Sequence, residues 1–532
     1  MENLLSLAAN KIIERIASLR LEKHSKRFIE HNRKKWRGWK VSKPESEILT
    51  YVHGNADHLI SSSYLVPILA KRHAAEIVAF ARGRQGRFFG GLPRPTYEIY
   101  RSFNTARFFH VELSPEKGDY ARSISQGIKS GIKTKQDVFD ISYRGVSIGV
   151  AIYESYLQMC RRPTADLEDP RLYDYIDEGI RTAVFWDDYL ERHAVRAIVI
   201  SHDCNIPEDV LARIAYERKI PVYLADCLRL RNADRPYSYA THFTDYRKMF
   251  DSFSEEEKEK AVRLAKNQLE RRFCGEVAVD MVYSTESAFV RSDDEAPVLR
   301  QNDKIKILIA THCFFDNPHG YGGMLFLDFY EWLMHLGEIS KQTDYDWYIK
   351  THPNYLPGTM EIITEILDKY PHIQLIPSKV SHHQLVEEGI DFVVTVYGTV
   401  GHEYPALGVP VINAGYNPRI AYDFNYHPKS IEEYDNVLLN LDKLHIEMDK
   451  QQIYEFYYMQ HYYAFIDDLV LESHRKYVQD VGLRSVGGPE MYSYFIDQLT
   501  DSRHHQIIDR FSEFVESGRR NYFELRKSLD FG

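Results

Sequence analysis

Three short stretches of this 532-residue chain hold residue types that could do chemistry together. The first is Tyr348-Ile-Lys-Thr-His-Pro-Asn354, where Lys350 and His352 stand two apart and Pro353 closes an apolar run. Alternate residues of an extended segment project to one side, so the ammonium and the imidazole can share a target. A lysine is a compact positive charge for a phosphate or carboxylate, and the histidine can donate to a leaving phosphate or act as general acid. The second stretch is Thr395-Val-Tyr-Gly-Thr-Val-Gly-His-Glu403. Gly398 and Gly401 permit a sharp turn and close approach of a ligand, and Thr399 can cap a helix starting there or face a phosphate. Free amides at a helix start hold anions, and Glu403, one turn in, can accept from ribose hydroxyls or simply offset the helix dipole. The third is Asp316-Asn-Pro-His-Gly-Tyr-Gly-Gly323, a glycine-permitted loop in which Asp316, His319 and Gly322 are site candidates. Its spacing fits neither a Walker nor a dinucleotide fingerprint.

These stretches need elements to position them. Apolar runs at 305–310, 347–350, 373–376, 392–396 and 411–412 alternate with helical patterns and predict one doubly wound sheet within a domain over 300–430. Earlier runs at 48–53, 76–80, 107–112, 197–201 and 222–224 predict another over 41–291, with a helical insertion at 134–192. The polar segment 292–298 reads as a hinge. Residues 431–532 read as a helical tail, in which Tyr454, Tyr458, Tyr462 and Phe465 recur at helical spacing as a core stripe. The expected fold class is α/β, with two Rossmann-like doubly wound domains facing a cleft and ligands beyond the carboxyl ends of the strands. By that rule the first domain offers His53-Gly-Asn-Ala-Asp-His58 and Ser201-His-Asp-Cys204. Asp57 is then the leading general base, and His53, His202 and Asp203 are acceptor-side candidates.

Composition narrows the class of protein. Five cysteines with no CxxC spacing argue for a reducing compartment and against a zinc site. Asp344-Tyr-Asp346 precedes its strand and reads as a solvated loop, so neither metal nor cofactor is expected. No apolar run approaches the roughly 20 residues that cross a bilayer, and the start lacks a signal-peptide layout, so a cytoplasmic location is expected. Residues 1–40 carry eleven Lys/Arg against four Glu, although the whole chain is at −10. Leu4, Leu5, Ala8, Ile12, Ile16 and Leu19 recur at helical spacing there, so this segment can lie on the inner face of an anionic membrane or pack on the first domain. No nucleic-acid partner is expected of a chain that is acidic elsewhere.

The second and first stretches together resemble the nucleotide-binding domain of GT-B glycosyltransferases, in particular bacterial capsule and lipopolysaccharide enzymes that use CMP-activated acidic sugars. The likeness lies in Lys350, His352 and Pro353, then Thr399, then Gly401-His-Glu-Tyr-Pro-Ala-Leu-Gly-Val-Pro-Val-Ile412. It covers about 100 residues, and Tyr397-Gly398-Thr399 stands where many relatives carry paired Ser/Thr. The resemblance implies a metal-independent transfer of a sugar, Kdo or another acidic one, from a nucleotide sugar to a growing glycan or glycolipid. It places Lys350 and His352 on the phosphate and sugar carboxylate, Thr399 on the phosphate, Glu403 on the ribose, and Asp316 and His319 under the donor. A CDP-glycerol or CDP-ribitol phosphotransferase, a nucleotide-sugar 2-epimerase and a non-catalytic glycan-binding module are the alternatives.

Overall fold

The computed structural model describes residues 21–83, 91–227, 229–277, 279, 286–291, 296–352, 355–464, 470, 477, 481 and 487–526. Each of the ten apolar runs forms a strand, and further strands join them. The first sheet contains β1 (Ser46–Tyr51), β2 (Ala75–Ala81) and β3 (Thr105–His110). A separate hairpin follows, β4 (Ser142–Tyr143) and β5 (Val146–Ser147), and the sheet resumes with β6 (Val195–Ile200), β7 (Val222–Ala225) and β8 (Leu230–Ala233). Its order is β3-β2-β1-β6-β7-β8, parallel except for β8. The second sheet has β9 (Lys306–Ala310), β10 (Asp346–Lys350), β11 (Gln374–Ile376), β12 (Phe392–Thr395), β13 (Val411–Asn413) and β14 (Asn425–Tyr426). Its order is β11-β10-β9-β12-β13-β14, parallel throughout.

Strands covered on both faces bury consecutive side chains, which is why they read as unbroken apolar runs. Leu49 lies between Val78 and Ile198, and Ile309 between Ile349 and Val394. Each sheet winds outward through three strands and then restarts on the other side. The order therefore reverses between β1 and β6 and again between β9 and β12, which opens a crevice at each reversal.

Nine helices matter below: α1 (Lys23–Trp36), α2 (Ala56–Arg72), α3 (Gly149–Cys160), α4 (Pro170–Arg192), α5 (Glu255–Phe273), α6 (Val400–Ala406), α7 (Lys450–Tyr458), α8 (Glu490–Gln498) and α9 (Asp501–Ser517). The segment at 134–192 is not purely helical. It holds the β4–β5 hairpin, turned through Arg144 and Gly145 at positive φ, and it ends in α4, which feeds β6 as an ordinary crossover.

The hinge residues 292–295, the apolar positions Leu4 to Leu19, and Phe465 lie outside the described residues. What is described of the basic segment packs on the protein. Phe28, Ile29 and Trp36 of α1 are buried, Phe28 stacks on Tyr492 of α8, and Arg33 and Lys35 pair with Glu98 and Asp501 at 2.6 Å each. The tail leaves the second sheet and returns to the first, where Met491, Phe495, Phe511 and Phe514 share a core with α1 and α2. Of the aromatic stripe, Tyr458 is buried and Tyr454 and Tyr462 are half-buried; beside them Phe456 and Tyr457 of α7 are buried in the seam with Phe243, Tyr246 and Tyr422. No helix among the described residues is long and apolar enough to cross a membrane.

Candidate functional site at two switch points

The crevice between β9 and β12 is cationic. Lys350 ends β10, is 3% exposed, and donates from Nζ to the Ser378 carbonyl at 2.9 Å. Burial lowers its pKa to about 8, with Glu403 opposing, so it stays largely charged at neutral pH. Arg419 follows β13 and is 2% exposed, yet its Nε and Nη2 have no hydrogen-bond partner. Burial lowers its pKa to about 10, against Tyr321 and Glu403. Gly401 must be glycine for this packing, because a Cβ there would lie 2.6 Å from the Arg419 Nε.

Glu403 on α6 is buried, and its Oε1 accepts from the Nε of Arg272 at 2.6 Å. A buried carboxylate needs such a partner, and α5 supplies it from the segment between the sheets. His312, just past β9, accepts the Val396 amide on Nε2 at 3.2 Å, and that nitrogen lies 3.0 Å from the Thr395 hydroxyl. Accepting an amide puts its proton on Nδ1. Burial first, then Arg419 and His352, lowers its pKa to about 3, so the ring is neutral. His352 keeps an exposed edge. Surrounding chain, then Lys350 and Arg272, lower its pKa, with Glu286 opposing.

The crevice between β1 and β6 has the opposite character. His53 follows β1, His58 lies in the first turn of α2, and His202 follows β6. The ring centroids are 4.6 Å apart for His53 and His58, 5.0 Å for His58 and His202, and 6.3 Å for His53 and His202. His58 Nδ1 donates to the Ala225 carbonyl at 2.9 Å. His202 Nδ1 lies 3.0 Å from the Ser201 hydroxyl, and that hydroxyl gives its hydrogen to Glu208. Glu208 also accepts the Ser201 amide at 2.7 Å, and burial pushes its pKa up to about 7. Asp57 has a buried Oδ1 without a partner, and its Oδ2 lies 3.9 Å from His58 Nε2. Asp203 likewise buries an unpartnered Oδ2, and burial raises its pKa. The two crevices share one electrostatic neighbourhood: Arg229 and Arg231 act on His202 and also on Tyr321, which in turn acts on Arg419.

Several expected residues stand elsewhere. Asp316 is exposed, and its carboxylate takes the Asn317 amide at 2.9 Å. His319 belongs to the seam between the sheets rather than to an open donor pocket. It is buried, its amide donates to Glu154 of α3 at 2.8 Å, and its ring lies against Phe139. Gly322, at φ +71°, is in the same seam, where a Cβ would lie 2.9 Å from the Tyr237 ring. Thr399 precedes α6 without a side-chain cap, and Gly398 packs against Thr395 and His312. Pro353 lies outside the described residues. Asp346 is no solvated loop residue: it is 3% exposed and holds Arg300 at 2.8 Å at the amino end of β10. The residues that sequence reasoning missed are His312, Arg419, His58 and Arg272. His312 and Arg419 follow strands, so the strand-end rule could have found them, and His58 is one residue past Asp57. Arg272 sits at the end of a helix before the second sheet and carries no local signal.

No known family profile matches the sequence, and no curated protein matches it. Similar solved structures include a beta-Kdo 2,4 transferase, KpsC, of Thermosulfurimonas dismutans, with 13% identity over 49% of this chain and 79% of that one, at a TM-score of 0.29. The UDP-GlcNAc 2-epimerase of Neisseria meningitidis bound to UDP-GlcNAc has 13% identity over 82% and 100%, at 0.23. The wall teichoic acid polymerase TagF has 13% over 92% and 97%, at 0.19. At such scores these likenesses carry no argument about site or substrate, and the fold rests on the two sheets themselves.

Proposed function

We propose that the chain is a GT-B glycosyltransferase that holds a nucleotide-activated sugar in the β9/β12 crevice and the acceptor in the β1/β6 crevice. The observation that carries this is the pair of buried cations at the strand ends, Lys350 and Arg419, the latter with two donor nitrogens unpaired. A buried guanidinium without an acceptor is costly, and an anion entering the crevice completes it. A sugar phosphate linkage is such an anion. Lys350, Arg419 and His352 would then stabilise the charge that develops on the departing phosphate, where preorganised donors are most effective.

On the acceptor side, the Asp57 carboxylate takes the proton of the acceptor hydroxyl as that oxygen bonds to the sugar's anomeric carbon and the bond to phosphate breaks. The resemblance in Lys350, His352, Thr399 and Glu403 favours a CMP-linked acidic sugar, Kdo among them, moved to a growing surface glycan or glycolipid. In the described structure Glu403 already serves Arg272, so its part in holding a ribose runs through that pair.

Two measurements test the proposal. In thermal unfolding, CMP at 100 times its dissociation constant should stabilise the chain by about 2.7 kcal/mol, ahead of CDP, UDP and GDP. Turnover of CMP-Kdo should collapse in His352→Ala. Stabilisation by none of the nucleotides would overturn the proposal. A clear preference for CDP would redirect it to a CDP-alditol phosphotransferase.

A further inference from the structure

From the placement of His53, His58 and His202 we infer a binding site for one divalent transition-metal ion of the zinc class at the β1/β6 switch point. One nitrogen of each ring lies within 4.8 Å of the others, in a group drawn from three separate elements. Imidazole nitrogen suits zinc and its neighbours, and three histidines leave a fourth place for a water or a substrate oxygen.

The second layer is what distinguishes this group from histidines that merely pack. A ligating histidine commonly donates its other N–H to an oxygen, which fixes the tautomer and aims the free lone pair. His58 does this through the Ala225 carbonyl at the end of β7. His202 does it through Ser201, whose hydroxyl is in turn anchored on buried Glu208. Both rings therefore present Nε2 unprotonated. His53 differs: its Nδ1 accepts the Asn55 amide at 3.1 Å, an exposed bond that the ring must give up to serve as third ligand. Asn55 is exposed, so its amide passes to water at little cost.

Charge agrees with geometry. The carboxylate of Asp57 stands 3.9 Å from His58 Nε2 and offsets part of a dication's charge. His53 and His58 stand five apart but His202 lies well over a hundred residues later, so no local ligand spacing announces all three. This inference stands apart from the proposed transfer reaction: a chain that held the ion and turned over no sugar nucleotide would keep it.

The experiment uses the full chain, stripped with a chelator and then dialysed against buffered Zn²⁺ or Co²⁺. The expected result is a single ion per chain by elemental analysis. The Co²⁺ form should show the visible absorption of a four- or five-coordinate nitrogen site, and Zn²⁺ should raise the unfolding temperature. His202→Ala, on the exposed edge of the group, should lose the ion while keeping the wild-type circular dichroism. Ser201→Ala removes the hydroxyl that links the His202 ring to Glu208, leaves all three histidines in place, and should weaken affinity by roughly 10- to 100-fold. Failure of the wild-type chain to take up an ion, or equal uptake by folded His202→Ala, would overturn the inference.

Discussion

The two switch points share a topology and differ in almost everything else. Between β9 and β12 the buried cations are Lys350 and Arg419, and buried Glu403 pairs with half-buried Arg272. Between β1 and β6 the groups are imidazoles and carboxylates, and burial raises the pKa values of Asp203 and Glu208. One sheet architecture therefore carries two contrasting electrostatic settings, a cationic one suited to the proposed anion and one of imidazoles and carboxylates. The difference is made by residues at the strand ends and in the loops and helices around them.

Four perturbations bear on that contrast. Removing the buried acid of the cationic crevice should have the largest effect. Glu403→Ala deletes the buried carboxylate that pairs with Arg272 and should cost about 3–5 kcal/mol in urea unfolding; an unchanged midpoint would mean the pair is not structural.

Lys350→Met should act in the reverse direction. A lysine whose pKa falls from 10.5 to about 8 on folding carries its charge at a cost, in full below pH 8 and relieved as pH rises toward 10.5. The apo variant should thus be more stable near neutrality by about 2 kcal/mol while the stabilisation by nucleotide disappears. A variant that keeps the nucleotide response would remove Lys350 from the anion site.

The imidazole crevice is probed through Glu208. Its pKa rises on folding from 4.5 to about 7, so its contribution is fully present below 4.5 and is lost as pH climbs through 7. Glu208→Gln should flatten that fall, and relative to wild type it should gain about 1–2 kcal/mol between pH 5 and 8. Parallel curves for the two proteins would show that Glu208 titrates normally.

The smallest effect belongs to charges outside both crevices. Asp501→Ala, which frees Lys35 of α1, should change stability by less than about 1 kcal/mol, as exposed pairs do. A larger loss would make α1 part of the support of the β1/β6 crevice.

Much of the fold was legible because buried parallel strands are short apolar runs, and ten of them declare themselves. The edges do not. Leu230-Arg-Asn-Ala233 of β8 is half polar, and β14 has only two residues, so neither carries a pattern. At the site, strand-end position led to Lys350, Gly398 and Asp57, which lie at the two switch points, whereas Asp316 lies exposed and His319 lies in the seam. An exposed loop carboxylate and a seam histidine are indistinguishable in sequence from functional ones. Arg272 and the gathering of His53, His58 and His202 are set by tertiary packing across distant segments, which no local window contains.

The return of the tail has a consequence for how the molecule is made. α2 begins with the Ala56 amide donating to the Gly487 carbonyl at 2.8 Å, and α8 and α9 complete the core around α1 and α2. During synthesis the second sheet can close as soon as it leaves the ribosome, since its strands are contiguous in the chain. The first sheet must instead wait, with part of its apolar surface uncovered, until α8 and α9 emerge. Of the two sheets, the one made first is thus the later to finish folding, and the wait ends at the helix that carries Asp57 and His58.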